Sequence, residues 1–217
     1  MRLYPTENHS DRTIVGRGLL PEEDERKLIA PYLLDGMSFV DIGANIGVYT
    51  LFVAHQTRGS ARILALEPHP ETFRKLVFNV GLNGFDTIAC RNVGAGPDRQ
   101  SAMLHFDGGG NIGSVSLVAE VVNSRMTVPI EIVPLADTLS QAGIGRIDLL
   151  KIDIEGYEDR ALIPFFETVT PGLWPGAVLV ETVHHTVWQR DLVAFLGRSG
   201  YEIAGQTAEN LLMRQSA

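Results

Sequence analysis

The stretch FVDIGANIGVYT (39–50) ends a short apolar run with Asp41, Gly43, Asn45 and Gly47, an acid, an amide and two residues without side chains. Glycine removes bulk where a backbone must turn tightly and approach a ligand, and the N–H groups opening the next helix face the same space. Glu67 closes the next apolar run, ARILALEP (61–68), where a carboxylate can accept both hydrogen bonds of a ribose diol. Together these residues suggest an adenosine-containing cofactor.

The dinucleotide fingerprint G-x-G-x-x-G fails here, because GANIGV puts Asn45 and Val48 at its second and third places. That counts against NAD. No Gly-Lys-Ser/Thr occurs, so an ATP-binding P-loop is absent. What remains is D-x-G-x-N-x-G, with an acid at the strand end, and an acid suits a positively charged cofactor. S-adenosylmethionine combines a sulfonium, an amino group and a ribose diol.

A second concentration of charge lies in KIDIEGYE (151–158). Along an extended strand Lys151, Asp153 and Glu155 share a face and would converge at its end. Lys151 has two readings, a buried ion-pair network that supports the fold or a catalytic group. Glu155 and Glu158 also suit a helix amino terminus by complementing its dipole. For removal of a proton from an acceptor hydroxyl, Asp153 is the first candidate base, and His184 or His185, just beyond VLVET (178–182), the second. Asp153, Glu155, Glu181 and His184 could alternatively gather around Mg²⁺, a reading that no tight ligand spacing demands.

The elements that must position these groups follow from periodicity. Strand signals at 38–43, 61–68, 86–93, 146–153 and 175–182 alternate with helical ones at 48–54, 70–84, 155–166 and 186–200. Single helices between strands mean parallel pairing in a doubly wound α/β sheet, and two consecutive strands at the end, YEIAG and ENLLMRQ, imply a hairpin and an antiparallel edge. SAMLHF (101–106) and MTVPIEIVPL (126–135) read as extra strands after the third one. A helix opens the chain at 21–34, with Pro21 and three acids at its start. Asn83 with Gly84 ends the helix at 70–84, Asn79 reads as a surface or capping group, and Asp137 as a cap for TLSQAG.

Composition sets limits on partners. The 217 residues are 45% hydrophobic with a net charge of -8, which fits one domain and argues against nucleic acid, since phosphate binding needs clustered Lys and Arg. No apolar run approaches the about 20 residues of a membrane span, and the start MRLYPTENHSDR lacks the apolar centre of a secretory signal, so a cytoplasmic location is expected. The single cysteine, Cys90, falls in a strand and reads as an inert buried thiol.

Four blocks, FVDIGANIGVYT (39–50), LALEPHPETFRKLVFNVGLNG (64–84), Ala136-Asp137 before Leu139 and IDLLKIDIEGYEDRAL (147–162), with a weaker match at VLVET (178–182), resemble the FkbM-type S-adenosylmethionine-dependent methyltransferases. The resemblance implies a single domain over 1–217 with a mostly parallel seven-stranded Rossmann-like methyltransferase sheet, a helical lead-in at 1–37 and a variable insertion at 95–135. It makes Asp41, Gly43, Asn45 and Gly47 the cofactor loop, Glu67 the ribose ligand and Asn92 a residue facing the adenine. The implied reaction is methyl transfer to a hydroxyl oxygen of a small molecule or sugar. The alternatives are a nicotinamide-dependent oxidoreductase and a cofactor-binding domain without turnover. The Gly-rich stretch at 105–118 is expected to border the acceptor pocket or to cover it as a lid.

Overall fold

The protein, a computed structural model, is described for residues 1–6, 9–106, 115–122 and 126–216. Helices α1 (His9–Arg17) and α2 (Glu23–Ile29) lead into β1 (Ser38–Ile42). The alternation that follows is α3 (Val48–Gln56), β2 (Arg62–Leu66), α4 (Pro70–Asn83) and β3 (Ile88–Arg91). Four strands then interrupt the pattern: β4 (Gly94–Ala95), β5 (Gln100–Phe106), β6 (Val115–Ser116) and β7 (Met126–Val133), with α5 (Leu135–Ala142) after them. The alternation resumes with β8 (Leu149–Ile152), α6 (Glu158–Thr168), β9 (Ala177–Glu181) and α7 (Leu192–Arg198), and ends in the hairpin β10 (Tyr201–Gln206) and β11 (Asn210–Gln215).

The main sheet has seven strands in the order β10-β11-β9-β8-β1-β2-β3. Strands β9, β8, β1, β2 and β3 are parallel, as single-helix crossovers require. The hairpin forms the edge, and its antiparallel member is β11, which inserts between β9 and β10. The extra strands after β3 make a separate four-stranded sheet, β4-β7-β5-β6, in which β5 pairs antiparallel with β7 over its whole length.

Alternation of side chains along each strand supplies both helical layers with a core. Val40, Ile42, Leu150 and Val178 face Leu139 of α5, Phe165 of α6 and Leu196 of α7. Phe39, Ile63, Leu149 and Leu179 face Ile29 of α2 and Val53 of α3 on the other side. Asp41 lies on that second face and is fully buried.

Several boundaries differ from the periodicity, each for a local reason. The helix expected at 21–34 is shorter and is the second one, α2: it starts at Glu23 after Glu22 adopts a left-handed conformation, and Pro31 converts its end to a 3-10 turn at Ala30–Tyr32. Strand β8 stops at Ile152 and α6 begins only at Glu158, so Glu155 belongs to a turn, with φ 55°, and not to a strand face or helix start. The helix expected at 186–200 begins at Leu192, where the Asp191 side chain caps it by accepting from the Ala194 N–H at 2.9 Å.

Asn79 is not a surface group. It is 1% exposed, its Nδ2 donates to the Ile46 carbonyl at 3.0 Å and its Oδ1 accepts from the Arg2 N–H at 2.7 Å, so it ties α4 to the loop after β1. Asp137 does not cap its helix; it sits in the first turn of α5, 3.5 Å from Arg99. Cys90 is half-buried in β3 with its thiol pushed up to about 11 by burial, which keeps it protonated and unreactive. Among the described residues no helix is long and apolar enough to cross a membrane.

Candidate active site

The loop between β1 and α3 is shaped by what lies beside it. Gly43 has φ 79°, and a Cβ there would stand 1.9 Å from the Asp153 carbonyl oxygen. The glycine is therefore required by the adjacent end of β8, a backbone neighbour that cannot give way. Gly47, with φ 96°, opens α3, and a Cβ on it would press on Leu76 of α4 at 2.9 Å. Between them Asn45 takes a left-handed φ of 49°, a conformation asparagine tolerates better than most residues. Its N–H donates to Glu67 Oε2 at 2.9 Å, while the His69 N–H donates to Glu67 Oε1 at 2.8 Å. Two backbone donors thus aim the carboxylate, and each oxygen keeps a free lone pair for a diol. Burial pushes Glu67 up to about 7.

Glu67 opens on a cavity of about 320 Å³ at the carboxyl ends of β1, β2 and β8, at the lower end of the roughly 300–1,000 Å³ usual for ligand clefts. One wall is apolar: Val93, Ala95, Leu104, Val115 and Leu117, brought by the second sheet. Of the stretch 105–118 read as a pocket border, Val115 and Leu117 do line the cavity, whereas 107–114 lie outside the described residues. Ser116 is tied down across the opening, its hydroxyl donating to the Glu155 carbonyl at 2.6 Å.

The opposite end is charged. Lys151, 5% exposed at its side chain, lies 3.2 Å from Asp153 Oδ2, 3.8 Å from Asp41 Oδ1 and 3.2 Å from the Gly43 carbonyl. Burial opposes its charge, but Asp153, Asp41 and Glu22 outweigh it and hold Lys151 above its ordinary value. Asp41 is not at the cavity wall: Thr50 donates to its Oδ2 at 2.6 Å, and it acts from beneath the loop. Burial also pushes Asp41 up, against Lys151 and Thr50.

Glu155, Glu181 and Glu209 complete this end of the cavity. Burial, reinforced by Asp153 and Glu158, pushes Glu155 up to about 8, and burial together with Asp153 and Glu155 raises Glu181. His184 Nε2 stands 2.9 Å from Glu155 Oε2. Ligating atoms of Glu155, Glu181 and His184 all fall within 4.8 Å of one another, a donor set suited to a divalent cation, and Glu181 Oε2 is buried without a hydrogen-bond partner. Asp153 stands apart from that set, paired with Lys151. His185 points elsewhere, its Nδ1 2.7 Å from the Thr182 carbonyl.

Gly43, Asn45, Glu67, Lys151 and Asp153 thus meet around one cavity. Asn92 does not join them: its Nδ2 donates to the Glu67 and Pro68 carbonyls at 2.8 and 2.9 Å, which fixes the turn that presents Glu67. Three ionisable cavity residues were not legible in the sequence. Tyr49 hid inside the apolar run VYTLFVA, Glu22 inside an acidic helix start, and Glu209 in the turn of the final hairpin. Only Tyr49, one turn into the helix after the glycine loop, carried a signal, its position.

Comparison with known proteins agrees with this arrangement. The "Methyltransferase 1" of Beauveria bassiana is 29% identical over 147 residues, covering 60% of this chain and 58% of that protein. The 31-O-demethyl-FK506 methyltransferase FkbM of Streptomyces tacrolimicus is 27% identical over 194 residues, 76% of this chain and 73% of the relative. The crystal structure of a methyltransferase FkbM from Methylobacillus flagellatus superposes with a TM-score of 0.56 at 19% identity, over 98% of this chain and 48% of that one. The chain therefore spans little more than half the length of the first relative and about half of the solved structure. The methyltransferase FkbM domain matches residues 41–203, three-quarters of the chain and nearly all of the cavity, and the chain belongs to that family.

Proposed function

We propose that the protein transfers a methyl group from S-adenosylmethionine to a hydroxyl oxygen of a small molecule or sugar. The observation that carries this reading is Glu67, buried, aimed by two backbone donors and open on the cavity at the sheet's switch point. When bound, S-adenosylmethionine would supply a methyl group already activated by its sulfonium. Glu67 would accept the ribose hydroxyls, the apolar wall of Val93, Ala95 and Leu104 would take the adenine, and the Gly43–Gly47 loop would hold the rest of the cofactor. Asp41 fixes Lys151 beneath the loop.

The acceptor approaches from the Glu155 side, where the apolar second sheet ends and carboxylates begin. Asp153 is held in an ion pair with Lys151 at 3.2 Å, while Glu155, backed by His184, has the proton affinity suited to a hydroxyl near neutral pH. The Glu155–His184 pair would take the hydroxyl proton of the acceptor. An oxygen acceptor is consistent with the name of the Streptomyces tacrolimicus relative, a 31-O-demethyl-FK506 methyltransferase.

A second reading of the same end rests on the convergent Glu155, Glu181 and His184, which would hold a divalent cation that orients the acceptor oxygen. Calorimetric titration tests the first claim: saturable binding of S-adenosylmethionine but not NAD, weakened at least about tenfold by Glu67→Ala, supports it. NAD binding in its place would return the oxidoreductase. Turnover abolished by EDTA and restored by Mg²⁺ selects the cation reading over the unaided Glu155–His184 base.

A further inference from the structure

Glu22 lies ahead of the residues matched by the family, 41–203, yet its side chain lines the cavity. Its backbone has φ 57° and ψ 51°, a left-handed conformation that is uncommon outside glycine, asparagine and aspartate. Strain of this kind persists where surrounding structure over-determines it, and it clusters at ligand clamps. The carboxylate is not explained by the helix it precedes, because it makes no capping hydrogen bond to α2. It accepts a hydrogen bond from the Tyr49 side chain and lies within the fields of Lys151, Asp153 and Glu25.

Charge at this end of the cavity is unbalanced. Asp41 and Asp153 pair with one ammonium, that of Lys151, and Glu22 adds a third carboxylate within its field. Burial raises Glu22, the direction expected for a carboxylate short of a cation. The shortage sits on the far side of the loop from Glu67: from the end of β2, across β1, to the end of β8 is two strand spacings, about 10 Å. A ligand whose ribose is held at Glu67 can extend an amino-acid arm across that distance.

We propose that Glu22 is a cofactor-binding residue, reaching in from the lead-in segment to take the cationic α-amino group of the donor's amino-acid arm. This rests on the methyl-donor reading above and adds a specificity to it: ligands with the amino-acid arm are distinguished from the bare thionucleoside.

The full chain is titrated calorimetrically with S-adenosylhomocysteine and with 5′-methylthioadenosine, which keeps the nucleoside and lacks the arm. Glu22→Gln is the near-isosteric variant. Glu22→Gly removes the carboxylate and relieves the left-handed strain, so its melting temperature is expected at or above that of the wild type. Both variants are expected to weaken S-adenosylhomocysteine about tenfold while leaving 5′-methylthioadenosine within about twofold. Equal weakening of both ligands, or none of either, overturns the role of Glu22 while the donor reading stands. A wild type that binds neither ligand overturns the donor reading, and the inference with it.

Discussion

Gly43 shows how a single residue can be fixed by its neighbour across the sheet and not by a ligand. Gly43→Ala forces a methyl group against the Asp153 carbonyl, 1.9 Å away, at a φ that disfavours any side chain. The contact is backbone on backbone, so β1 and β8 must part, and a loss of more than about 3 kcal/mol in urea unfolding is expected. A loss below about 1 kcal/mol would show that the two strand ends yield. Glu67 makes a different prediction, through pH. Its folded pKa of about 7 lies above the ordinary 4.5, so the stability it contributes to the ligand-free protein is full below about 4.5 and is lost as pH rises through 7. The size is up to about 3 kcal/mol, and Glu67→Gln should flatten that part of the profile. Over the same window affinity for the methyl donor should rise with pH, because ribose hydroxyls donate to the ionised carboxylate. Thermal melts and titrations from pH 5 to pH 8 read both trends; an affinity that falls with pH contradicts the role given to Glu67.

Helix α6 earns its place at the site through its first residue. Glu158 is fully buried; its Oε1 accepts from the Ile154 and Gly156 N–H groups at 2.9 and 3.2 Å, and its Oε2 accepts from the Trp188 indole at 2.7 Å. The helix thereby clamps the turn that holds Glu155 in its left-handed conformation and docks the segment before α7. Glu158→Ala orphans one buried and two half-buried donors, and a cost of about 3 kcal/mol follows. Because the clamp holds Glu155 and not Glu67, turnover of the folded enzyme should fall at least about tenfold with donor affinity nearly unchanged. A variant that loses affinity and turnover in the same proportion would contradict this division between helix and loop.

At the scale of the whole molecule the net charge of -8 governs which partners can approach. Several of the basic side chains are spent on acids nearby: Lys27 on Glu23, Arg190 on Glu167, Arg214 on Glu202. With phosphate affinity depending on clustered cations, the protein should not retain structured RNA at about 0.15 M salt in a gel-shift titration, whether or not the methyl donor is present. Retention at that salt would point to a basic surface that the formal charge conceals. The cavity, by contrast, is assembled from the lead-in, both sheets and the final hairpin, so its ligand should stabilise the chain as one unit, by about 2.7 kcal/mol at a concentration 100 times its dissociation constant.

Periodicity alone determined the alternating strands and helices, the parallel sheet and the terminal hairpin, because burial on two faces leaves a direct imprint on residue order. The glycine loop and Glu67 were equally legible, since their spacing is local to one βα unit and the start of the next strand's end. The two-sheet arrangement was not, because strands β5 and β7 owe their pairing to each other across a long connection. Nor were Glu22, Glu209 and the link from Asn92 to the Glu67 turn. Whether a carboxylate caps a helix, pairs with a lysine or faces a ligand depends on which distant atoms stand within 3 Å of it, and only the closed tertiary structure decides that.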